Sequence, residues 1–408
     1  MPHFVIVGAG ECGARAAFSL REKGFDGDIT LIGTEPLAPY ERPPLSKQAL
    51  VETIEPKFVA ALERYQERTI DLRLDTTVAA IEPVSKTVRL ADGQTLGYDK
   101  LLLATGASPR VFPGIDGTAR RIRMLRTHAD ALTLRAALHP GRHIAIIGGG
   151  FIGLELAATA RKLGANATVI ESLPRVLKRG VPEEIAEMIT ARHRLEGVDI
   201  RCGLAIEAVR EETERASLHL ADGQVISADL VLIGIGASPN IALAETAGLA
   251  IDNGIAVNER LETSAADIYA AGDCCSFPLA LYGGRRVRLE SWRNAQDQAN
   301  LAAANMLGEG MEISAVPWFW SDQYDLTLQI AGLADGAASH VRRDLGDGSF
   351  ILFHLDASGR LLAASGIGRG NAVARDIRLA EILIAARAHP ASDALAASSV
   401  KLKSLLAA

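Results

Sequence analysis

Residues 3–13 read His3-Phe4-Val5-Ile6-Val7-Gly8-Ala9-Gly10-Glu11-Cys12-Gly13, and residues 143–153 read His143-Ile144-Ala145-Ile146-Ile147-Gly148-Gly149-Gly150-Phe151-Ile152-Gly153. Each stretch is an apolar strand, then a glycine-rich turn, then an apolar helical pattern. In such a turn the first glycine permits the bend, the second lets the backbone approach a pyrophosphate, and the third lets the helix pack on the strand. The free N–H groups and the dipole of the helix favour the anion. One turn is weak evidence, but two predict a protein that binds two dinucleotides and passes a hydride or electrons between them.

An acidic residue follows each turn at the end of the next strand. Glu35 and Glu171 both lie about 20 residues past their turns, where an acid is expected to accept hydrogen bonds from adenosine ribose hydroxyls. A carboxylate at Glu171 would repel a 2′-phosphate, which favours NADH over NADPH. Three cations follow Glu171 within eight residues and weaken that preference: Arg175, Lys178 and Arg179.

The chain also contains a diverged copy of itself. Ala91-Asp92-Gly93-Gln94 reappears as Ala221-Asp222-Gly223-Gln224, and Gly106-Ala107-Ser108-Pro109 reappears as Gly236-Ala237-Ser238-Pro239, both at an offset of 130 residues. The Asp-Gly pairs predict hairpin turns. The apolar runs at 101–104 and 230–233 predict parallel strands that are covered on both faces.

These patterns predict an α/β protein with two Rossmann-like dinucleotide-binding domains and a C-terminal α+β domain. The first domain is discontinuous and comprises residues 1–109 and 240–316, and the second comprises residues 110–239. The third comprises residues 317–408, where Trp318, Trp320 and strand patterns take over.

Composition narrows the classes of partner. The 408 residues are 48% hydrophobic and 23% charged with a net charge of −6, so neither nucleic acid nor an anionic membrane is indicated as a partner. No apolar stretch approaches the roughly 18 residues of a membrane span, and a strand that starts by His3 leaves no room for a signal peptide, so a cytoplasmic location is expected. The four cysteines have no zinc-like spacing and are expected to be reduced and structural, with no metal site: Cys12, Cys202, Cys274 and Cys275.

Six motifs make the chain resemble a known family. They are Pro39-Tyr40-Glu41-Arg42-Pro43-Pro44-Leu45-Ser46-Lys47, Leu103-Ala104-Thr105-Gly106-Ala107, Gly148 to Glu155, Ala271-Gly272-Asp273, Glu290-Ser291-Trp292-Arg293-Asn294-Ala295 and Pro317-Trp318-Phe319-Trp320-Ser321-Asp322-Gln323. Their order and spacing cover essentially the whole chain. They resemble the FAD-dependent ferredoxin reductases that serve ring-hydroxylating dioxygenases and bacterial cytochromes P450. These are relatives of rubredoxin reductase and apoptosis-inducing factor, and they have a glutathione reductase-like fold.

The resemblance implies two cofactor sites. The residues implied to bind FAD are Gly8, Gly10, Gly13, Glu35, Arg42, Lys47, Ala104, Thr105, Gly106, Asp273, Glu290, Trp292 and Trp320. Those implied to bind NADH are Gly148, Gly150, Ile152, Gly153, Glu171 and Gly236. Lys47 and Glu155 are implied to be a catalytic pair beside the flavin N5, which orients the flavin and balances charge. From the local sequence, Ser46 is expected to cap a helix that begins at Lys47.

The implied reaction passes a hydride from NADH to FAD and then single electrons to a [2Fe–2S] ferredoxin that supplies an oxygenase. Such ferredoxins are usually acidic, so we expect a basic docking face. We also expect the protein to be a monomer or a homodimer. Its candidates are a subset of Arg285, Arg286, Arg288, Arg293, Arg342, Arg343, Arg369, Arg375 and Arg378.

Three other functions stay open. An NADH oxidase, or another pyridine-nucleotide-dependent flavoprotein reductase, is chemically possible for any reduced flavin. A disulfide or CoA-disulfide reductase needs a cysteine near the flavin, and the stretch from Arg42 to Lys47 contains none. An interaction protein that merely carries FAD would favour a basic surface or a targeting segment, and neither is evident.

Overall fold

The computed structural model describes residues 1–52, 55–115 and 119–406. The chain divides into two compact units. The first comprises Met1–Arg42, Pro56–Ser108 and Ser238–Ala315, and the second comprises Pro43–Glu55, Pro109–Ala237 and Val316–Ala408. The loop that contains Lys47 therefore groups with the second unit. The three predicted domain boundaries remain a prediction.

A parallel five-stranded sheet forms the centre of the first unit. Its strands lie in the order Ile268–Ala270, Lys100–Leu103, His3–Val7, Asp28–Ile32 and Ile70–Arg73. The three central strands are buried beyond their first residues, as apolar sequences require when helices cover both faces of a sheet. The helices of this unit are Glu11–Glu22, Leu62–Glu67, Ala242–Thr246 and Trp292–Met306, with short 3₁₀ turns at Gly272–Cys274 and Ala280–Tyr282.

Two smaller sheets complete the first unit. One is the antiparallel set Val78–Glu82, Thr87–Leu90 and Thr95–Gly97, and the other is Ile255–Ala256, Cys275–Leu279 and Arg285–Val287. The predicted hairpin turn at Asp92-Gly93 is confirmed. Gly93 takes a positive φ of 93°, and the Asp92 carboxylate accepts the Gln94 N–H at 2.9 Å.

The second unit repeats the plan. Its parallel sheet has the order Asp199–Cys202, Asn166–Glu171, His143–Ile147, Leu230–Ile233 and Ile122–Arg123. The antiparallel strands Ile206–Glu211, Ala216–Leu220 and Val225–Ala228 include the second predicted hairpin, at Asp222-Gly223. The helices are Gln48–Val51, His128–Ala137, Phe151–Lys162 and Glu183–Leu195, with a 3₁₀ turn at Pro43–Ser46. The short strands Ala107–Pro109 and Ala237–Pro239 lie where the chain passes from one unit to the other.

The end of the chain adds an antiparallel sheet to the second unit. Its strands lie in the order Trp318–Gln323, Leu326–Gly332, Leu361–Arg369, Ser349–Leu355 and Ser339–Gly346. The helices Ala374–Ala385 and Ser392–Ala396 and the 3₁₀ turn Leu402–Leu406 follow. Two parallel sheets of Rossmann-like topology and this α+β portion are the predicted fold class, which is confirmed.

Candidate functional site

The three glycines of the first turn differ in the space that a Cβ atom would have. Gly8 has a φ of +114°, and a Cβ there would lie 2.1 Å from the Ala104 carbonyl oxygen. A Cβ on Gly13 would lie 1.9 Å from the Gly8 carbonyl oxygen, so the helix needs a glycine to pack this closely. A Cβ on Gly10 would meet nothing within 4 Å. Gly10 is also the N-cap of the helix Glu11–Glu22 and no side chain caps that end. The fold thus leaves open space beside amide donors, which fits the pyrophosphate of a dinucleotide.

The second turn has the same geometry. Gly148 has a φ of +104°, and a Cβ on Gly153 would lie 2.1 Å from the Gly148 carbonyl oxygen. A Cβ on Gly150 would again meet nothing within 4 Å, and Gly150 is the uncapped N-cap of the helix Phe151–Lys162. Ile152 is exposed in the first turn of that helix. This second cradle also fits the pyrophosphate of a dinucleotide.

Both predicted ribose acids accept hydrogen bonds from neighbouring groups. Glu35 follows the strand Asp28–Ile32, and its carboxylate accepts hydrogen bonds from the Tyr40 hydroxyl at 2.5 Å and from Arg42 at 2.6 Å. Burial alone would lower the pKa of Arg42, but Tyr40 and Glu35 outweigh it and the pKa of Arg42 is raised. Arg42 is therefore firmly cationic. Tyr40 was not among the predicted site residues, although it lies within the motif at residues 39–47.

Glu171 ends the strand Asn166–Glu171, and its carboxylate accepts the backbone N–H groups of Gly149 and Leu173, both at 2.8 Å. The acid is thereby fixed to the glycine turn. Arg175 donates to the backbone carbonyl oxygens of Val176 and Val181 at 3.1 and 2.8 Å, so its guanidinium is already engaged within the loop. Lys178 and Arg179 are exposed.

The other residues implied to bind FAD, apart from Lys47 and Trp320, lie in the first unit. Ala104, Thr105 and Gly106 follow the strand Lys100–Leu103, where the Thr105 hydroxyl and carbonyl bond to Asn240. Asp273 lies in the turn Gly272–Cys274. Glu290 pairs with Arg288, and Trp292 begins the helix Trp292–Met306 behind the Ser291 cap. Gly236, implied to bind NADH, lies in the second unit and has a φ of +101°.

The predicted pairing of Lys47 and Glu155 is present. The Lys47 Nζ lies 3.1 Å from a Glu155 carboxylate oxygen and 3.5 Å from Asp322. Glu155 projects from the helix Phe151–Lys162 and is only 6% exposed. The Lys47 ammonium also lies 5.8 Å from the centre of the Trp320 ring, within cation–π range.

The expectation that Ser46 caps a helix beginning at Lys47 is wrong. The helix is Gln48–Val51, Lys47 is its N-cap residue, and no side chain caps it. The Ser46 hydroxyl instead donates to Glu155 at 2.5 Å, and its carbonyl accepts from Thr159 at 2.7 Å. Glu155 and Thr159 are four residues apart on one helix face, so together they hold the Ser46 backbone and side chain.

The strand Trp318–Gln323 supplies the remaining contacts to this group. Ser321 donates to Glu155 at 2.6 Å from the buried side of the strand. Asp322 accepts from the Trp320 indole at 3.1 Å and from Thr327 at 2.9 Å. Trp320 stacks on Trp318 with ring centres 5.4 Å apart. We call the set Lys47, Ser46, Glu155, Trp320, Ser321 and Asp322 the Lys47 cluster.

Within the Lys47 cluster, burial and the neighbouring donors shift the pKa of Glu155 in opposite directions. Burial raises the pKa of Glu155, and this effect exceeds the lowering by Lys47, Ser321 and Ser46. Burial of Glu155 therefore works against its ionised form, and Lys47, Ser321 and Ser46 work in favour of it.

The cysteines do not suit thiol chemistry. All four are free, and Cys12, Cys274 and Cys275 are buried. Burial raises the pKa of each of these three thiols, so they are protonated rather than nucleophilic. Cys12 packs beside Gly272, where an added Cβ would lie 3.2 Å from the Cys12 Cβ.

One of the nine candidates for the expected basic docking face, Arg343, requires a correction. Arg343 is only 3% exposed, pairs with Asp376 and donates to the carbonyl oxygens of Leu395, Ala397, Ser398 and Val400, so its assignment to a surface was wrong. It binds the last segment of the chain. Most of the other candidates form ion pairs within the chain: Arg286 with Asp252, Arg288 with Glu290, Arg293 with Asp297, Arg342 with Glu184 and Asp344, Arg369 with Asp325, and Arg378 with Glu381. Arg375 is exposed.

Across residues 1–52, 55–115 and 119–406, no three His, Cys, Asp or Glu side chains come together in a way that could hold a metal ion. Within the same ranges, every helix is too short or too polar to cross a bilayer.

The chain matches known proteins along essentially its whole length. Residues 2–299 match the family model for pyridine nucleotide-disulphide oxidoreductases, and residues 318–406 match the model for the reductase C-terminal domain. The chain is 43% identical over 406 residues to the ferredoxin–NAD(+) reductase component of the anthranilate 1,2-dioxygenase system of Burkholderia cepacia, with 99% of each chain covered. It is 39% identical over 413 residues to putidaredoxin reductase of Pseudomonas putida, covering 99% of this chain and 96% of the relative. Its fold matches the reductase in the crystal structure of the covalent putidaredoxin reductase–putidaredoxin complex with a TM-score of 0.94 and 38% identity, covering 100% and 98% of the two chains.

Proposed function

The chain belongs to the pyridine nucleotide-disulphide oxidoreductase family, and on that premise we propose that it is an NADH-dependent, FAD-containing ferredoxin reductase. Its partner is a [2Fe–2S] ferredoxin that supplies an oxygenase. The observation that carries the proposal is the pair of equivalent glycine cradles, each with an uncapped helix N-terminus. The relatives that match along the whole chain are named as reductases of dioxygenase and P450 systems, which supports the choice of acceptor.

FAD, when bound, takes up a hydride from NADH and releases two electrons singly. The chain supplies binding and electrostatics. We assign the FAD diphosphate to the cradle of Gly8, Gly10 and Gly13, with Glu35 on the ribose. We assign NADH to the cradle of Gly148, Gly150 and Gly153, with Ile152 beside it and Glu171 on the ribose.

Lys47 is the residue that we assign to the electronics of the flavin. Glu155, Asp322 and Trp320 hold its ammonium in place, so a fixed positive charge is available without reorganisation. Replacing Lys47 by Met should slow reduction of the flavin by NADH while leaving FAD bound. An unchanged rate would refute the assignment.

A preference for NADH over NADPH follows from Glu171. Its carboxylate is fixed by two backbone N–H groups. We assign this carboxylate to the ribose, where it would repel a 2′-phosphate. Arg175, a cation that could have supplied that charge, is engaged with backbone carbonyl oxygens.

We place the protein in the cytoplasm, where NADH is available. Three buried free thiols support a reducing compartment.

The test compares electron acceptors. FAD-loaded protein is supplied with NADH, and the rates of reduction of a [2Fe–2S] ferredoxin such as putidaredoxin, of oxygen and of a small disulfide are measured separately. We expect the ferredoxin to be reduced much faster than the other two. Equal consumption of oxygen with and without ferredoxin would show an NADH oxidase, and turnover of the disulfide would show a disulfide reductase; either result would overturn the proposal.

A further inference from the structure

A line of hydrogen bonds leads from Glu155 into the interior of the second unit. Ser321 Oγ lies 2.6 Å from Glu155 Oε1, and Gln323 Nε2 lies 3.2 Å from Ser321 Oγ. His193 Nε2 lies 2.8 Å from Gln323 Oε1, and the Tyr324 hydroxyl lies 3.4 Å from His193 Nδ1. Ser321, Gln323 and His193 are 1%, 3% and 0% exposed, so these groups must satisfy one another rather than bulk water.

The direction of this line follows from the chemistry of its members. An ionised carboxylate accepts only, so the Ser321 hydroxyl must donate to Glu155. The Ser321 oxygen then accepts from the NH₂ group of Gln323, which turns the Gln323 carbonyl oxygen toward His193. That oxygen also accepts only, so the proton of His193 must be on Nε2, and Nδ1 is left to accept from Tyr324.

Two elements of the second unit build this arrangement. Side chains alternate along a strand, so Ser321 and Gln323 share the buried side of Trp318–Gln323, whereas Trp320 and Asp322 share the side that meets Lys47. His193 comes from the helix Glu183–Leu195 and has no path to solvent of its own. One side of the strand therefore presents a buried hydroxyl donor, Ser321, to one oxygen of Glu155. The other side presents the Asp322 carboxylate and the Trp320 ring to Lys47.

We propose that Ser321, Gln323 and His193 are positioning residues that keep Glu155 ionised and oriented toward Lys47. The effect on flavin reduction rests on the proposed function, whereas the effect on the charge of Glu155 does not. The line gives hydrogen-bond partners to two buried polar residues, Gln323 and His193, which lie far in sequence from both glycine turns. It gives one oxygen of Glu155 an oriented donor, Ser46 serves the other oxygen, and Lys47 supplies the compensating charge.

The titratable and charged groups around Glu155 come from three elements. Lys47 lies in the segment between Pro43–Ser46 and Gln48–Val51, Asp322 lies on the strand and contacts Lys47, and His193 lies at the far end of the line with Arg192 and Tyr324 beside it. Burial lowers the pKa of His193, so its neutral form, which the line requires, persists at neutral pH.

The first test measures the protonation of Glu155 directly. Isotope-edited infrared spectra record the carboxyl C=O stretch of protonated Glu155 as a function of pH, assigned by its absence in Glu155→Gln. We expect Ser321→Ala and Gln323→Leu each to raise the protonation midpoint by about one pH unit, because each removes or disorients a donor to a buried carboxylate. Ser321→Thr, which keeps the hydroxyl, should restore the original midpoint.

A matched control is Ser365→Ala. Ser365 is also a buried serine on the same antiparallel sheet, and it is hydrogen-bonded to a buried histidine, His354, at 3.1 Å, away from the line to Glu155. It should leave the midpoint of Glu155 unchanged. If Ser321→Ala and Gln323→Leu also leave it unchanged while both proteins remain folded, the proposal is overturned.

A second measurement needs no substitution in the protein under observation. Nitrogen-15 NMR of labelled histidine should show His193 as the neutral Nε2–H tautomer, with the signal identified by its loss in His193→Gln. A Nδ1–H tautomer or a protonated ring of His193 at neutral pH would contradict the direction of the line.

The kinetic consequence separates the two proposals. In rapid-mixing experiments with NADH, Ser321→Ala and Gln323→Leu should lower the rate constant of flavin reduction and leave the dissociation constant of NADH unchanged. If unsubstituted protein does not reduce bound flavin but the infrared midpoints move as expected, the proposed function fails and the positioning role stands. If the substitutions shift the protonation midpoint of Glu155 but leave the rate constant of flavin reduction unchanged, the positioning role in catalysis is overturned.

Discussion

Substituting alanine at the second glycine of the second turn should separate nucleotide binding from folding. The added Cβ of Gly150→Ala would meet no protein atom within 4 Å, and the backbone there is extended at a φ of −81°. The only expected cost to folding is the poorer N-cap, about 0.5–1 kcal/mol. On our assignment, however, the methyl group would occupy the space proposed for the pyrophosphate of NADH.

The loss of binding can be estimated from the donors at that helix end. A hydrogen bond to a charged group contributes about 1.5–3 kcal/mol, so the loss of one such bond lowers affinity by roughly 10- to 150-fold. Gly153→Ala is the contrasting variant, because its Cβ would lie 2.1 Å from the Gly148 carbonyl oxygen and the helix would have to move. We expect that variant to lose stability of about 1–3 kcal/mol as well.

The assay is calorimetric titration of FAD-loaded protein with NAD⁺, alongside calorimetric melting of the same samples. Gly150→Ala should lose affinity for NAD⁺, keep its flavin and melt close to the unsubstituted protein. Gly10→Ala should show the mirror result, with loss of flavin and an intact NAD⁺ cradle once FAD is forced to saturation. Full NAD⁺ affinity in Gly150→Ala would refute the assignment of this cradle.

Three further outcomes are expected. Glu171→Gln should shift the ratio of kcat/KM for NADPH over NADH upward by about tenfold, since it removes repulsion of a 2′-phosphate but keeps an acceptor for the Gly149 N–H; an unchanged ratio would contradict the ribose assignment. Arg343→Met should lower the free energy of unfolding in urea by about 3–5 kcal/mol, because Asp376 and several carbonyl oxygens lose a buried partner; a change within error would contradict that role. Burial lowers the pKa of His354 to about 4 from 6.5, so stability that is present above pH 6.5 should be lost as the pH falls toward 4, by up to about 3 kcal/mol, and His354→Gln should flatten this dependence in melting curves.

The sequence was sufficient for the parts of the fold that local pattern controls. The strand before each glycine turn, the hairpins at Asp92-Gly93 and Asp222-Gly223, and the acids Glu35 and Glu171 follow from periodicity and turn chemistry over a few residues. The requirement for glycine at position 13 also arises within this short segment, because a Cβ there would clash with the Gly8 carbonyl oxygen. At Gly8 the clashing atom belongs to Ala104, which lies far along the chain.

The contacts within the Lys47 cluster could not be read from spacing. Lys47 and Glu155 are far apart in the chain, and the resemblance rather than any periodic pattern brought them together. The same limit explains the two errors. Ser46 looks like a helix cap, but Glu155 competes for its hydroxyl; Arg343 looks like a surface charge, but carbonyl oxygens near the end of the chain enclose it.

The line through Gln323 and His193 had one partial signal in the sequence. Alternation along Trp318–Gln323 places Ser321 and Gln323 on one side of a strand, which could have marked that side as buried. Nothing local indicates that His193, from a helix more than a hundred residues earlier, supplies the next hydrogen bond.

The most direct measurement is an anaerobic titration of the purified, FAD-loaded protein with NADH, followed by addition of an oxidised [2Fe–2S] ferredoxin. We predict that NADH bleaches the flavin absorbance and that the ferredoxin restores it as its own cluster becomes reduced. A protein that stays colourless after incubation with FAD, or a flavin that NADH does not bleach, would contradict the account.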